Sequence, residues 1–187
     1  MQANEPIPSK LSEAATRYAT DRDTEEVGLW LFEAFGITAV GDAAHRRAAW
    51  LCVLAVRRIL DAWSAFRCEG RAPEVAVEAV AEWARGGTTP ADWLPLCQEA
   101  PAIRDGRLVT DCDENRVGPV ARSAAKAACF ALTAEPKYGA EVLFEVWAAD
   151  FHGIHALGAM PIEKWVADIA LPAAWELREL SDAELLA

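Results

Sequence analysis

Three groups of residues in this 187-residue chain have types and spacings that could do chemistry. His152 and His155 stand three apart, with Glu145 and Asp150 shortly before them. On a helix that spacing puts two imidazoles on adjoining faces, and Glu145 lies two turns before His152 on one side. One reading is therefore a metal-dependent helical enzyme using His152 and His155. A metal site takes three or four ligands, however, and the Glu-x-x-His pair that a second helix would supply to a di-iron bundle is absent. The favoured reading of the pair is a polar helix end beside Gly153 and Gly158, without a metal.

Asp111-Cys112-Asp113-Glu114-Asn115 opens like a calcium loop. Its sixth position is Arg116 where a glycine is needed, and its twelfth is Arg122 where a bidentate glutamate is needed. Calcium is excluded, and the cluster remains as acidic surface.

The cysteines are Cys52, Cys68, Cys97, Cys112 and Cys129, an odd number with no Cys-x-x-Cys pair. Reduced thiols of a cytosolic protein are expected. A cysteine nucleophile would need a nearby base, and nothing ties His45, His152 or His155 to a thiol. There is no Gly-x-Ser-x-Gly, phosphate loop or Gly-x-Gly-x-x-Gly. The expectation is a non-catalytic protein without cofactor or metal.

Charge points the same way. Lys and Arg total 18 against 29 Asp and Glu, for a net charge of −11. An acidic surface repels phosphate backbones, so nucleic acid is disfavoured and a basic protein partner is suited. Glu74, Glu78 and Glu82 recur every four residues as an acidic stripe. Arg46 and Arg57, and Arg47 and Arg58, are eleven apart, so each pair shares a helix face. Ion pairs with neighbouring acidic helices are the favoured reading over a phosphate-binding ridge. No basic region followed by an apolar run opens the chain, and no window of about 18 apolar residues exists. A cytoplasmic protein without a membrane span is expected.

These residues need elements to hold them. Residues 42–66 read as a long central helix without internal Gly or Pro, about 35 Å in length at 1.5 Å per residue. Its apolar residues (Ala49, Cys52, Val53, Val56, Ile59, Leu60, Trp63, Phe66) step by three and four along one face. Asp42, after Gly41, is its N-cap. Two helices precede it, one capped by Ser9 and running to about Thr20, the other capped by Thr24 and running from about Glu25 to Phe35, and residues 1–8 are expected to trail as a flexible tail. Helices follow over 73–85 with Pro73 at its start, and over 90–99 with Pro95 as a distortion. Residues 100–118 are expected as one long irregular loop, with Arg107–Thr110 as an extended or strand-like stretch. An alanine-rich interior helix is expected over 119–133 and a further helix over 140–157. A last segment runs from Pro161 to about Leu180, interrupted near Pro172, with Ser181 capping a final turn. Most of the eight Trp fall in apolar stripes and are assigned to the core. The expected fold is all-α: one domain over 1–187, a bundle of about eight helices around the long central one.

Ala48 to Gly87 carries a pattern. A helix with Cys52, Arg57-Arg58 and Ile59-Leu60 is followed by a turn at Pro73. Val77-Glu78-Ala79 then closes on Trp83-Ala84-Arg85-Gly86, and the alanine helix Ala121–Ala128 comes later. The pattern resembles the alanine-rich, all-helical immunity proteins of bacterial polymorphic toxin systems, with residues 88–118 as an insertion. The resemblance implies inhibition of a cognate toxin by tight binding, without catalysis. The expected binding residues are Glu74, Glu78 and Glu82 with Asp105, Asp111, Asp113 and Glu114, facing a basic toxin surface. Leu108, Ile103 and Val109 would be apolar anchors. A helical scaffold or adaptor is the alternative reading.

Overall fold

In the computed structural model the described residues are 5–21, 24–65, 70–98, 114–151 and 160–187. They are all-α, as expected, with no strand among them. The helices are α1 (Ser9–Thr20), α2 (Thr24–Ala34), α3 (Ala43–Ala65), α4 (Ala72–Ala84), α5 (Glu114–Thr133) and α6 (Pro136–Phe151). A continuous rod follows, made of α7 (Ile162–Trp165), a π turn (Val166–Ala170) and α8 (Leu171–Trp175). A short α9 (Asp182–Leu185) comes last.

Helix α3 is the centre, and more completely than its periodicity predicts. Every residue from Ala48 to Val56 is fully buried. A helix apolar all round must be covered all round. It is covered by α4, α5, α6, the rod and α9. The one-face stripe is therefore corrected to a helix enclosed along its middle turns.

Asp42 caps α3 as expected. Its Oδ1 accepts from the His45 N–H at 2.7 Å, and its Oδ2 accepts from the N–H groups of Thr38 (2.8 Å) and Ala39 (3.0 Å). Burial opposes the carboxylate charge. These donors, with the Thr38 hydroxyl, outweigh it and hold the Asp42 pKa down to about 2.

Several boundaries differ from the expected ones, each for a proline or glycine. Helix α5 starts at Glu114, so Gly118-Pro119 does not begin it. Proline lacks the N–H that would reach the carbonyl four residues back, so the second turn of α5 goes without one backbone hydrogen bond at Pro119. Helix α6 starts at Pro136, which needs no N–H partner in a first turn. Gly139 is thus a helical residue, needed because the Phe32 ring of α2 packs where its Cβ would stand. Residues 87–93 form no helix, and only one turn forms after them, with the N–H groups of Leu96 and Cys97 on the Trp93 carbonyl. The interruption expected near Pro172 appears as the π turn just before it.

The C-terminal cap is as expected: Ser181 accepts from the Glu184 N–H while the Glu184 carboxylate accepts from the Ser181 N–H, a capping box. Those hydrogen bonds from Ser181, with the Arg178 charge, hold the Glu184 pKa down to about 2.

Candidate functional site

The predicted partner surface is only partly brought together. On α4, Glu78 and Glu82 are exposed and Glu74 is half-buried. The inner face of the same helix, including Ala76, Val77, Val80, Ala81, Trp83 and Ala84, lies in the core. The period of four therefore puts the glutamates on the outward side, with Val75 exposed beside them. Glu78 pairs with Arg71 at 3.2 Å, both side chains well exposed, which contributes little. Glu82 has no cation partner among the described residues. Asp105, Leu108, Asp111 and Asp113, with Ile103 and Val109, lie outside the described residues. Glu114 opens α5 with its backbone, so it belongs to a helix and not to the loop in which it was expected.

His152 and His155 also lie outside the described residues, as do Cys68 and Cys112. Glu145 accepts from Arg122 Nε at 2.8 Å on the facing helix. Among the described residues no group of three or more His, Cys, Asp or Glu could hold a metal. Among them, too, no helix is long and apolar enough to cross a membrane.

The contacts described for the arginines of α3 are not with acidic residues of neighbouring helices. These side chains stack on tryptophans. Arg46 lies over the Trp83 ring at 4.9 Å, Arg47 over Trp175 at 4.0 Å and Arg58 over Trp165 at 4.7 Å. Arg57 and Arg85 lie against Trp50 at 5.2 and 5.0 Å and share the carboxylate of Glu179. Arg47 binds Glu5 at 2.9 Å. Glu5 and Glu179 lie outside the helices. The expected ion pairs thus form with the segments before α1 and after α8. The ring faces are apolar from one side and electron-rich toward a cation, so each guanidinium keeps its charge while covering the core.

The indole N–H groups complete the same joints. Trp50 donates to the Arg178 carbonyl (2.9 Å), Trp165 to Glu184 (2.7 Å), Trp175 to Glu5 (2.7 Å) and Trp63 to Gly70 (2.9 Å). Residues 5–8, expected to trail, are tied down through Glu5, and Ile7 packs on the core. Six of the eight tryptophans are buried (Trp50, Trp63, Trp83, Trp93, Trp165 and Trp175), as assigned.

His45 is the group that sequence reasoning passed over. It is fully buried beside Trp83 and Phe130, whose rings meet it edge-on. Nδ1 accepts from the Gly41 N–H at 2.8 Å, and Nε2 donates to the Phe130 carbonyl at 2.9 Å. That pattern assigns the neutral Nε2–H tautomer. Burial, opposed by the Phe130 carbonyl and by Asp42, holds its pKa below the ordinary histidine value. The signal was its place three residues after the capping Asp42, where a side chain can turn back on the cap.

The site is a charged outer face on a solid helical body. No family model matches the chain, and neither a curated protein nor a solved structure matches it.

Proposed function

We propose that this chain is a non-catalytic immunity protein, which neutralises a cognate bacterial toxin by covering a basic surface on it. The observation that carries this reading is how the charges are spent. The cations of α3 and Arg85 are committed to tryptophan faces, to Glu5 and Glu179, and to backbone carbonyls. The acidic ridge of α4 stands exposed against that, in a chain of net charge −11. A negative face of this kind steers a basic partner and raises the association rate at low salt.

The test uses the toxin domain that this reading expects to be encoded beside the gene. Glu78→Lys with Glu82→Lys should lower the association rate by about tenfold or more at low ionic strength, with the helical circular-dichroism spectrum unchanged. Unaltered binding would remove α4 from the interface. Binding that leaves the toxin fully active would favour a scaffold over an inhibitor.

A further inference from the structure

Cys97 and Cys129 come from different elements and meet. Cys97 sits in the single turn after Trp93, and Cys129 is on α5. The Cys129 thiol donates to the Cys97 carbonyl with Sγ 3.8 Å from the oxygen, so the Cys129 sulfur lies directly against the Cys97 residue. Both residues are half-buried, so neither is sealed in the core. Cys52, by contrast, is fully enclosed in α3. Lys126, one turn before Cys129, lies within electrostatic reach of that residue, as Asp92 does of Cys97. Lys126 in turn pairs with Glu141 at 2.6 Å.

We propose that Cys97 and Cys129 form a redox-modification site, closing reversibly to a disulfide by exchange with a low-molecular-weight disulfide. One cysteine, as thiolate, attacks a sulfur of the small disulfide. An S–S bond to the protein forms, the small disulfide breaks, and one small thiol leaves. The second cysteine then attacks the protein sulfur of that mixed disulfide, and the second small thiol leaves. Two protein thiols are oxidised, one small disulfide is reduced to two thiols, and the two protein protons end on those thiols. The product ties the turn at Cys97 covalently to α5 and closes a ring between positions 32 apart. A crosslink over that span restricts the unfolded chain and stabilises the fold. Burial, with the Cys129 side chain beside it, pushes the Cys97 thiol up to about 12. Attack by Cys97 is therefore slow at neutral pH and speeds up as pH rises.

The experiment exposes the whole native chain to oxidised glutathione, quenches with acid, alkylates the remaining thiols and maps them by mass spectrometry. A Cys97–Cys129 linked peptide should accumulate, faster by roughly tenfold per pH unit below the thiol pKa. The melting temperature should rise with it and return to the starting value on adding a reductant. Cys97→Ser should stop at a glutathione adduct on Cys129. Fully alkylated Cys97 and Cys129, arrest of the wild-type chain at separate glutathione adducts, or a bridge to Cys68 or Cys112 would each overturn the proposal.

Discussion

The His45 imidazole and the Phe130 carbonyl are 85 positions apart in sequence and 2.9 Å apart in space. This bond joins the start of α3 to the end of α5. It is closed on the other side of the ring by the Gly41 N–H, so one neutral histidine holds two elements and a turn.

Protonating that ring puts a hydrogen where the Gly41 N–H already points. The folded-state pKa lies below the ordinary 6.5, so the unfolded chain binds the proton more readily. Stability is then fully present above pH 6.5 and falls as pH drops below it. Asp42 adds a second decline at lower pH, between its ordinary 3.8 and about 2. Denaturant unfolding at pH 7.5 and pH 5.5 should show the first loss in the wild-type chain and a flatter response in His45→Gln. His45→Ala should cost about 2–4 kcal/mol at pH 7.5, from the cavity and the two stranded backbone groups. Equal pH slopes in wild type and His45→Gln would show that the histidine is not the titrating group.

Gly28 and Gly139 face α6 and α2 respectively, yet they should respond oppositely to a methyl group. A Cβ at Gly28 would meet Ala140 at 3.5 Å, an ordinary contact. Gly28→Ala should be neutral or stabilising by up to about 1 kcal/mol through helix propensity. A Cβ at Gly139 would enter the Phe32 ring. Gly139→Ala should destabilise by about 1–3 kcal/mol. Thermal melts of the two variants decide it, and matching shifts would contradict the packing.

Ala134 ends α5 with φ at +60°, a left-handed conformation that favours glycine. Its N–H bonds to the Phe130 carbonyl at 2.8 Å, so the strained turn is held in place. Ala134→Gly should raise stability by roughly 0.5–1 kcal/mol, read from the urea midpoint at constant m-value. A lower midpoint would show that backbone freedom in the unfolded chain outweighs the relief.

Arg58 is 2% exposed, lies over Trp165, and donates to the carbonyls of Leu185 (3.1 Å) and Met160 (3.3 Å). Arg58→Ala should cost about 3–5 kcal/mol, since it strands buried carbonyls and uncovers an indole. Arg58→Lys should recover only part, because an ammonium cannot stack and fork together. Near-UV circular dichroism should lose the Trp165 signal in the alanine variant. A full rescue by lysine would show that charge alone matters.

Much of this architecture is local information and could be read from the chain. Asp42 after Gly41, Ser181 before Glu184, and the alanine run of α5 each specify their own structure within a few residues. The start of α5 at Glu114 could not be read so, because Gly118-Pro119 looks like a breaker until the turn before it is seen to be helical. Gly139 falls just before the helix expected over 140–157, because nothing local says that Phe32 fills the place of its missing side chain. The stacking of Arg47 on Trp175 joins residues far apart in sequence, and no pattern within one helix encodes it. The acidic stripe on α4 was legible from its spacing. Its exposure depended on which side of α4 the core would take.

The enclosure of α3 has a consequence for biosynthesis. Helix α3 leaves the ribosome before the rod and α9 that seal one side of it. Glu5 likewise waits for Trp175 before it can dock. Until residues 162–185 emerge, the nascent chain presents the flank of α3 that they cover, a binding site for holding chaperones. The enclosure of α3 is therefore complete only once residues 162–185 have docked.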